Sequence, residues 1–285
     1  MKSSIQFEML QGPAGAEIPV ASYPVQNARG ILLMLPAMGV RASFYRPMAE
    51  ALNQQGVSVF LMEQRGHGQS PYRASRKTDF TCREYIEEDI KTTVAWIKGQ
   101  SDNAIPLYLG GHSMGGHMTA SYVGLFGDDV DGMMIIACGL PHAEAFDNKV
   151  AKRLTKLSRL LPFILFFWGY YPGEKIGFAG NEFRSFMKDW LGMVKTGNYQ
   201  FSGIDADIEK GIQVFDKPVH VFSIEGDDFA PVKSALAVTD KFKNATVHHR
   251  HLLASDLNNQ IGHFDWVRGM NVGGSVIADA LFSKD

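Results

Sequence analysis

The residue best equipped to attack a carbonyl is Ser113, which stands in Gly111-His112-Ser113-Met114-Gly115 between the apolar run Pro106 to Leu109 and a stretch that reads as helix. A serine on a sharp strand-to-helix turn exposes its Oγ at the carboxyl edge of a sheet. Small residues two before and two after it keep the strained turn free of clashes. The following helix aims free N–H groups and a partial positive charge at any negative charge developing there. The same five residues also suit a serine that merely caps a helix, so the reading depends on partners. A hydroxyl attacks only when a base takes its proton, and a third group must orient that base. After the run Val219 to Ile224 comes a loop carrying Asp227 and Asp228, and after the last strand-like run comes Ile261-Gly262-His263-Phe264. Ser113, one of these two carboxylates and His263 are the expected nucleophile, acid and base, and the order Ser113, Asp227, His263 fits. His248, His249 and His251 lie in a strand pattern whose alternation is expected to set His249 apart from the other two. Nothing near them has the H-E-x-x-H spacing of a zinc site, and no metal is expected.

These groups must be brought together by the elements around them. Ile5 to Leu10 and Ile18 to Val25 read as strands, and Gly12, Pro13 and Gly15 between them supply the turn of an antiparallel start. Short apolar runs then alternate with helix-length amphipathic segments, the pattern of βαβ units in a parallel sheet. Strands are expected at Ile31 to Leu35, Val57 to Met62, Pro106 to Leu109, Gly132 to Ala137, Val219 to Ile224 and Val247 to Leu253. Helices are expected at Ser43 to Gln54, Cys82 to Gly99, Gly115 to Phe126, Pro231 to Phe242 and Phe264 to Leu281. Between Pro141 and Asp216 no strand signal occurs, and an inserted helical cap accounts for the length. The expected division is a core of residues 1–141 with the nucleophile, a cap of 142–215, and a second core part of 216–285 with acid and base. The fold expected is α/β, mostly parallel with an antiparallel N-terminal start, with helices on both faces and the cap after the sixth strand.

Acyl transfer also needs two N–H donors aimed at the tetrahedral oxyanion. Met114, next after the nucleophile, offers one. Met38, in the loop Pro36-Ala37-Met38-Gly39 after the run Ile31 to Leu35, is expected to offer the other. Gly111 to Gly116 reading GHSMGG, Arg65 to Ser70 reading RGHGQS, and Gly262-His263 before the last helix together resemble the α/β hydrolases of the monoacylglycerol-lipase and serine-aminopeptidase-like group. The resemblance covers the core, and the cap is similar to the short helical lids of bacterial members. It implies the α/β-hydrolase fold. It also implies an acid four residues before a helix-opening proline, which counts back from Pro231 to Asp227. Two positions depart from the family pattern: Pro36-Ala37 stands where His-Gly is usual, and Glu63 stands where an aspartate commonly precedes the R-G-x-G-x-S turn.

A net charge of −2 over 285 residues, with 45% apolar residues, supplies neither a basic footprint for nucleic acid nor the polar bias of disorder. Two cysteines, Cys82 and Cys138, suit buried thiols rather than a disulfide framework. Residues Met1 to Val20 lack a signal-peptide pattern, and the most apolar stretch, Leu160 to Tyr171, is too short to span a membrane. A cytoplasmic location is expected. The function expected is hydrolysis of carboxylic esters of apolar acyl or alkyl groups through an acyl-enzyme, with a small-molecule ester as partner and no cofactor. Phe163, Phe167 and Trp168 of the cap are expected to line the apolar subsite. An aminopeptidase-like amide hydrolase is the alternative. It would need carboxylates for a substrate ammonium, and the cap offers Glu144, Asp147, Glu174, Glu182 and Asp189. A weakly catalytic small-molecule receptor on the same fold is a third reading.

Overall fold

The computed structural model describes residues 6–146 and 148–282. Among the described residues eight strands form one sheet: β1 (Phe7–Gln11), β2 (Glu17–Tyr23), β3 (Gly30–Leu35), β4 (Val57–Met62), β5 (Leu107–His112), β6 (Gly132–Ile136), β7 (Val219–Ile224) and β8 (Val247–Leu252). Their order is β1-β2-β4-β3-β5-β6-β7-β8. The β1/β2 hairpin is antiparallel and joins β4 antiparallel, and every other pairing is parallel. Ile5, the expected start of the first strand, lies outside the described residues.

The helices are α1 (Arg46–Gln54), α2 (Lys91–Gln100), α3 (Met114–Phe126), α4 (Asn148–Trp168), α5 (Arg184–Thr196), α6 (Ile208–Val214), α7 (Val232–Thr239) and α8 (Met270–Phe282). The sheet is covered on both faces, which is why β3 is buried at every position. Ile31, Leu33 and Leu35 pack with Val94, Ile97, Met118 and Tyr122 of α2 and α3. Leu32 and Met34, pointing the other way, pack with Met48, Leu52, Ile277 and Leu281 of α1 and α8. Strand β5 runs three residues beyond the expected Leu109, because Gly110 and Gly111 let its neighbours close in. A Cβ on Gly110 would lie 2.8 Å from Leu32 Cδ1. Three expected helices begin with other geometry. A 3-10 turn at Ala42–Tyr45 precedes α1, a π turn at Glu84–Ile90 precedes α2, and a 3-10 turn at Asp265–Gly269 precedes α8.

The stretch from 142 to 215 holds α4, a helical turn at Gly173–Ile176, α5 and α6. It also holds a ladder that sequence did not foretell, Tyr171–Pro172 against Asn181–Glu182, too short to produce a period. Helix α4 runs through Pro162 and stops at Gly169, whose φ of 77° is left-handed. Helix α6 lies on α3 at a pair of glycines, where a Cβ on Gly211 would fall 1.7 Å from the Gly124 carbonyl oxygen. The stretch leaves β6 and returns to its neighbour β7, with Ile136 opposite Phe222. Among the described residues no helix is long and apolar enough to cross a membrane.

One expectation for β8 is corrected. His249 and His251 share a face, both within hydrogen-bonding distance of Ser223 Oγ at 2.9 and 2.8 Å. His248 is the one set apart and stacks on His220 at 4.8 Å. The two-residue period of a strand requires this arrangement.

Candidate active site

Strand β5 ends at His112, and the chain turns into α3 through Ser113, whose φ of 53° and ψ of −117° are strained for a residue with a side chain. The turn closes because its flanking residues are glycines. A Cβ on Gly111 would lie 2.2 Å from the Gly115 carbonyl carbon, and one on Gly115 would lie 2.3 Å from the Leu35 carbonyl oxygen. The end of β3, the end of β5 and the first turn of α3 therefore meet at van der Waals contact, with Ser113 at the carboxyl edge of the sheet.

His263 Nδ1 lies 3.0 and 2.9 Å from the two oxygens of the Asp227 carboxylate. The same carboxylate accepts the N–H groups of Phe229 and Ala230, both at 2.9 Å, so the loop after β7 holds it in place. Asp228 is exposed and makes no such contact. With Nδ1–H donated to Asp227, Nε2 is the nitrogen left to exchange a proton. Met114 opens α3, so its N–H is among those without an intrahelical acceptor. Met38 stands in a turn closed by Val40 N–H donating to Ala37 O at 3.0 Å. Gly39 gives that turn a φ of 76° and packs on Gly180, whose nitrogen would be 2.2 Å from an added Cβ.

The aromatics expected at the apolar subsite lie on the outer side of α4. Phe163, Phe167 and Trp168 are 64%, 62% and 45% exposed, whereas Leu161 and Leu165 of the same helix are buried. Helical geometry makes the reason plain, since α4 lays Leu154, Leu157, Leu161 and Leu165 on the core and turns the aromatics outward. Beside His263 stand Phe229, 5.1 Å from its ring, and Phe264, 4.7 Å from it, both themselves exposed. Their neighbourhood to Asp227 and His263 in the sequence was the signal for them.

The RGHGQS loop is a scaffold. Arg65 grips Asp89 through two nitrogens at 2.7 and 2.6 Å and stacks 4.3 Å from the Phe80 ring centre, while Ser70 Oγ accepts from Gly66 N–H at 3.1 Å. Glu63 accepts from Ala42 and Gln69 N–H groups, so the replacement of the usual aspartate still closes the loop. His67 Nε2 lies 3.1 Å from Glu182 of the short ladder, a tie that no local pattern announced. Burial pushes the His67 imidazole down, and the Glu182 carboxylate more than offsets it, leaving its pKa raised. Beside this tie and the Met38 turn lies a cavity of about 440 Å³ lined by Gly39, Arg41, Glu63, His67, Arg73 and Asn181 among others. Its lining is polar.

The carboxylates considered for an ammonium are mostly engaged elsewhere. Glu182 meets His67, and Asp189 accepts from Cys82 N–H and from the N–H and hydroxyl of Ser202. Glu174 accepts from Asn181 and with it lines the polar cavity, Glu144 is 91% exposed, and Asp147 lies outside the described residues.

Comparison with known proteins agrees with this architecture. A family model described as serine aminopeptidase, S33 matches residues 26–176, more than half of the chain. A monoacylglycerol lipase of Mycolicibacterium smegmatis is 27% identical over 145 residues, which is 49% of this chain and 49% of that protein. A monoglyceride lipase of Saccharomyces cerevisiae is 30% identical over 124 residues, 41% of this chain and 38% of that protein. The matched stretch thus spans about half or less of these relatives. Among solved structures, a soluble variant of the Saccharomyces cerevisiae monoglyceride lipase in complex with a substrate analog superposes with a TM-score of 0.67 at 17% identity, over 99% of this chain and 96% of that one. The esterase domain of a Rhodothermus marinus protein gives a TM-score of 0.61 at 13% identity, over 98% of each chain. At such identities these likenesses establish the α/β-hydrolase fold alone.

Proposed function

The chain belongs to the serine aminopeptidase, S33 family, and on that premise we propose that it is a serine hydrolase cleaving carboxylic esters of apolar acyl or alkyl groups. The observation that carries the reading is the Asp227 carboxylate held against His263 Nδ1 at the edge of the sheet where Ser113 is strained outward. His263 Nε2 takes the Ser113 proton as Oγ attacks the ester carbonyl, and the N–H groups of Met38 and Met114 receive the oxyanion. The imidazolium, stabilised by Asp227, then protonates the leaving alcohol. Water attacks the acyl-serine with the same imidazole as base and releases the acid. No step calls for a cofactor. Residues 142–215 form the cap over this edge, and Phe229 and Phe264 give the acyl or alkyl group an apolar wall. The lipase names of the relatives support an ester substrate, and the prior commitments of Glu182 and Asp189 weigh against an amide substrate held by its ammonium.

The test is a series of p-nitrophenyl esters from acetate to palmitate, run beside aminoacyl anilides and a fluorophosphonate probe. Ester turnover with inert anilides is expected, with labelling lost and kcat reduced on the order of 10⁶-fold in Ser113→Ala. Faster anilide than ester turnover would establish the peptidase. Labelling without turnover would establish the receptor.

A further inference from the structure

Tyr45 and His112 enter no step above, yet they join the three loops on which those steps depend. Tyr45, 1% exposed, ends the 3-10 turn before α1. Its hydroxyl oxygen accepts Ala37 N–H at 2.9 Å, so it grips the turn that presents Met38. The same oxygen lies 2.7 Å from Nδ1 of His112, the fully buried residue that ends β5 and precedes Ser113. The His112 ring in turn packs 4.9 Å from the His263 ring, walled by Trp266 at 5.4 Å and Phe264 at 5.7 Å.

The proton count fixes the direction of the central bond. A phenol has one proton, and with Ala37 N–H already donated to its oxygen, that proton has His112 Nδ1 as its acceptor. Were Nδ1 itself protonated, the Tyr45 proton would be buried with no acceptor, an arrangement folded proteins avoid. With the proton on Nε2 instead, that N–H is turned toward the His263 backbone, which favours the protonated nitrogen, and the Tyr45 proton keeps its acceptor. Burial holds this imidazole well below its usual pKa, the His263 ring adds to that, and a backbone contact to His263 opposes it.

We propose that Tyr45 and His112 are positioning residues whose hydrogen bond keeps the oxyanion turn, the nucleophile's strand end and the base loop in one register. The inference rests on the reading of Ser113 and His263 given above. Reaction geometry is sensitive at this level, and a misplacement of ~1 Å remote from the bond being broken can cost about 10²-fold.

Tyr45→Phe, His112→Asn and their double variant test it in the 285-residue chain. In ¹⁵N spectra of the imidazoles, the parent is expected to show His112 with Nε2 protonated and Nδ1 bare from pH 5 to 8, and Tyr45→Phe is expected to lose that single tautomer. On p-nitrophenyl esters Tyr45→Phe should lower kcat by ~10–100-fold with KM within about twofold and the melting temperature little changed. The double variant should be no slower than the slower single one, because the pair acts as a unit. A protonated Nδ1 in the parent overturns the proposal. So does an undiminished kcat in Tyr45→Phe, additive losses in the double variant, or a loss of kcat that merely follows a loss of folded protein. A parent inert to esters and to fluorophosphonate would sink the hydrolase reading separately, with the tautomer spectra still deciding the hydrogen bond.

Discussion

Asp227 and Asp228 are adjacent and chemically identical, and the backbone assigns them different surroundings. Asp227 is enclosed by two N–H donors and the His263 ring, while Asp228 points to water. Under the proposed mechanism Asp227→Asn preserves the shape but favours the wrong imidazole tautomer, lowering kcat by up to ~10⁴-fold. Asp228→Asn should leave kcat nearly unchanged. Its effect on stability should also be small, since the residue capping α7 is Pro231 and no side-chain cap bond exists there. Steady-state kinetics of the two variants side by side decide the matter, and a crippled Asp228→Asn beside a healthy Asp227→Asn would reverse the assignment.

Helix α4 shows what an element can and cannot disclose in its sequence. Its composition marks an apolar helix, but composition does not say which apolar residues face inward. The spacing of Leu154, Leu157, Leu161 and Leu165 does, because steps of three and four residues keep one face to the core. Leu161→Ala should accordingly cost ~2–4 kcal/mol in urea unfolding. Phe163→Ala should stay within about 0.5 kcal/mol and leave the ester chain-length profile unaltered. A larger loss from Phe163 than from Leu161 would mean that the helix is rotated from the orientation described. The same distinction separates the legible parts of the molecule from the rest. Strand β3 is a continuous apolar run and β4 and β7 are mostly apolar, and Ser113 and the Asp227-Asp228 pair stand just beyond strands, whereas His263 follows the polar β8 and is found by its place in chain order and the resemblance. The His67–Glu182 tie joins residues 115 apart, and the Tyr45–His112 bond spans 67. Neither has a local period, because each exists only once separate elements have packed.

At the scale of the whole molecule two buried imidazoles contribute an acid sensitivity, opposed by the Asp89 carboxyl that burial pushes up to about 6. His117 of α3 lies within the core, its Nε2–H donating to Gly139 O at 3.2 Å and its Nδ1 accepting from Tyr199 at 2.8 Å. Burial lowers its pKa to about 4. The folded value is depressed, so between about pH 6.5 and 4 the unfolded chain takes up a proton that the folded chain refuses. Stability from this group is complete above about pH 6.5 and declines as the pH falls toward 4, by on the order of 3 kcal/mol. His220, lowered to about 4 by burial and by His248 beside it, acts in the same direction. Urea unfolding of the parent and of His117→Gln at pH 7, 5.5 and 4.5 should show the variant losing less stability than the parent as the pH falls. An identical slope in the variant would remove His117 from the account.

The sheet order has a consequence for synthesis. Strands β3 and β5, which bring the Met38 turn and Ser113 together, are made in the first half of translation, whereas β7, β8 and the His263 loop come in the last third. At ~5–20 residues per second, roughly eight to thirty seconds separate Ser113 from His263 on the ribosome. For that interval the nascent chain holds Ser113 without its proposed base. Under the proposed mechanism hydrolytic competence waits for β7, β8 and the His263 loop, and a message cut short after α7 would yield a polypeptide that carries Ser113 and Asp227 yet lacks the proposed base.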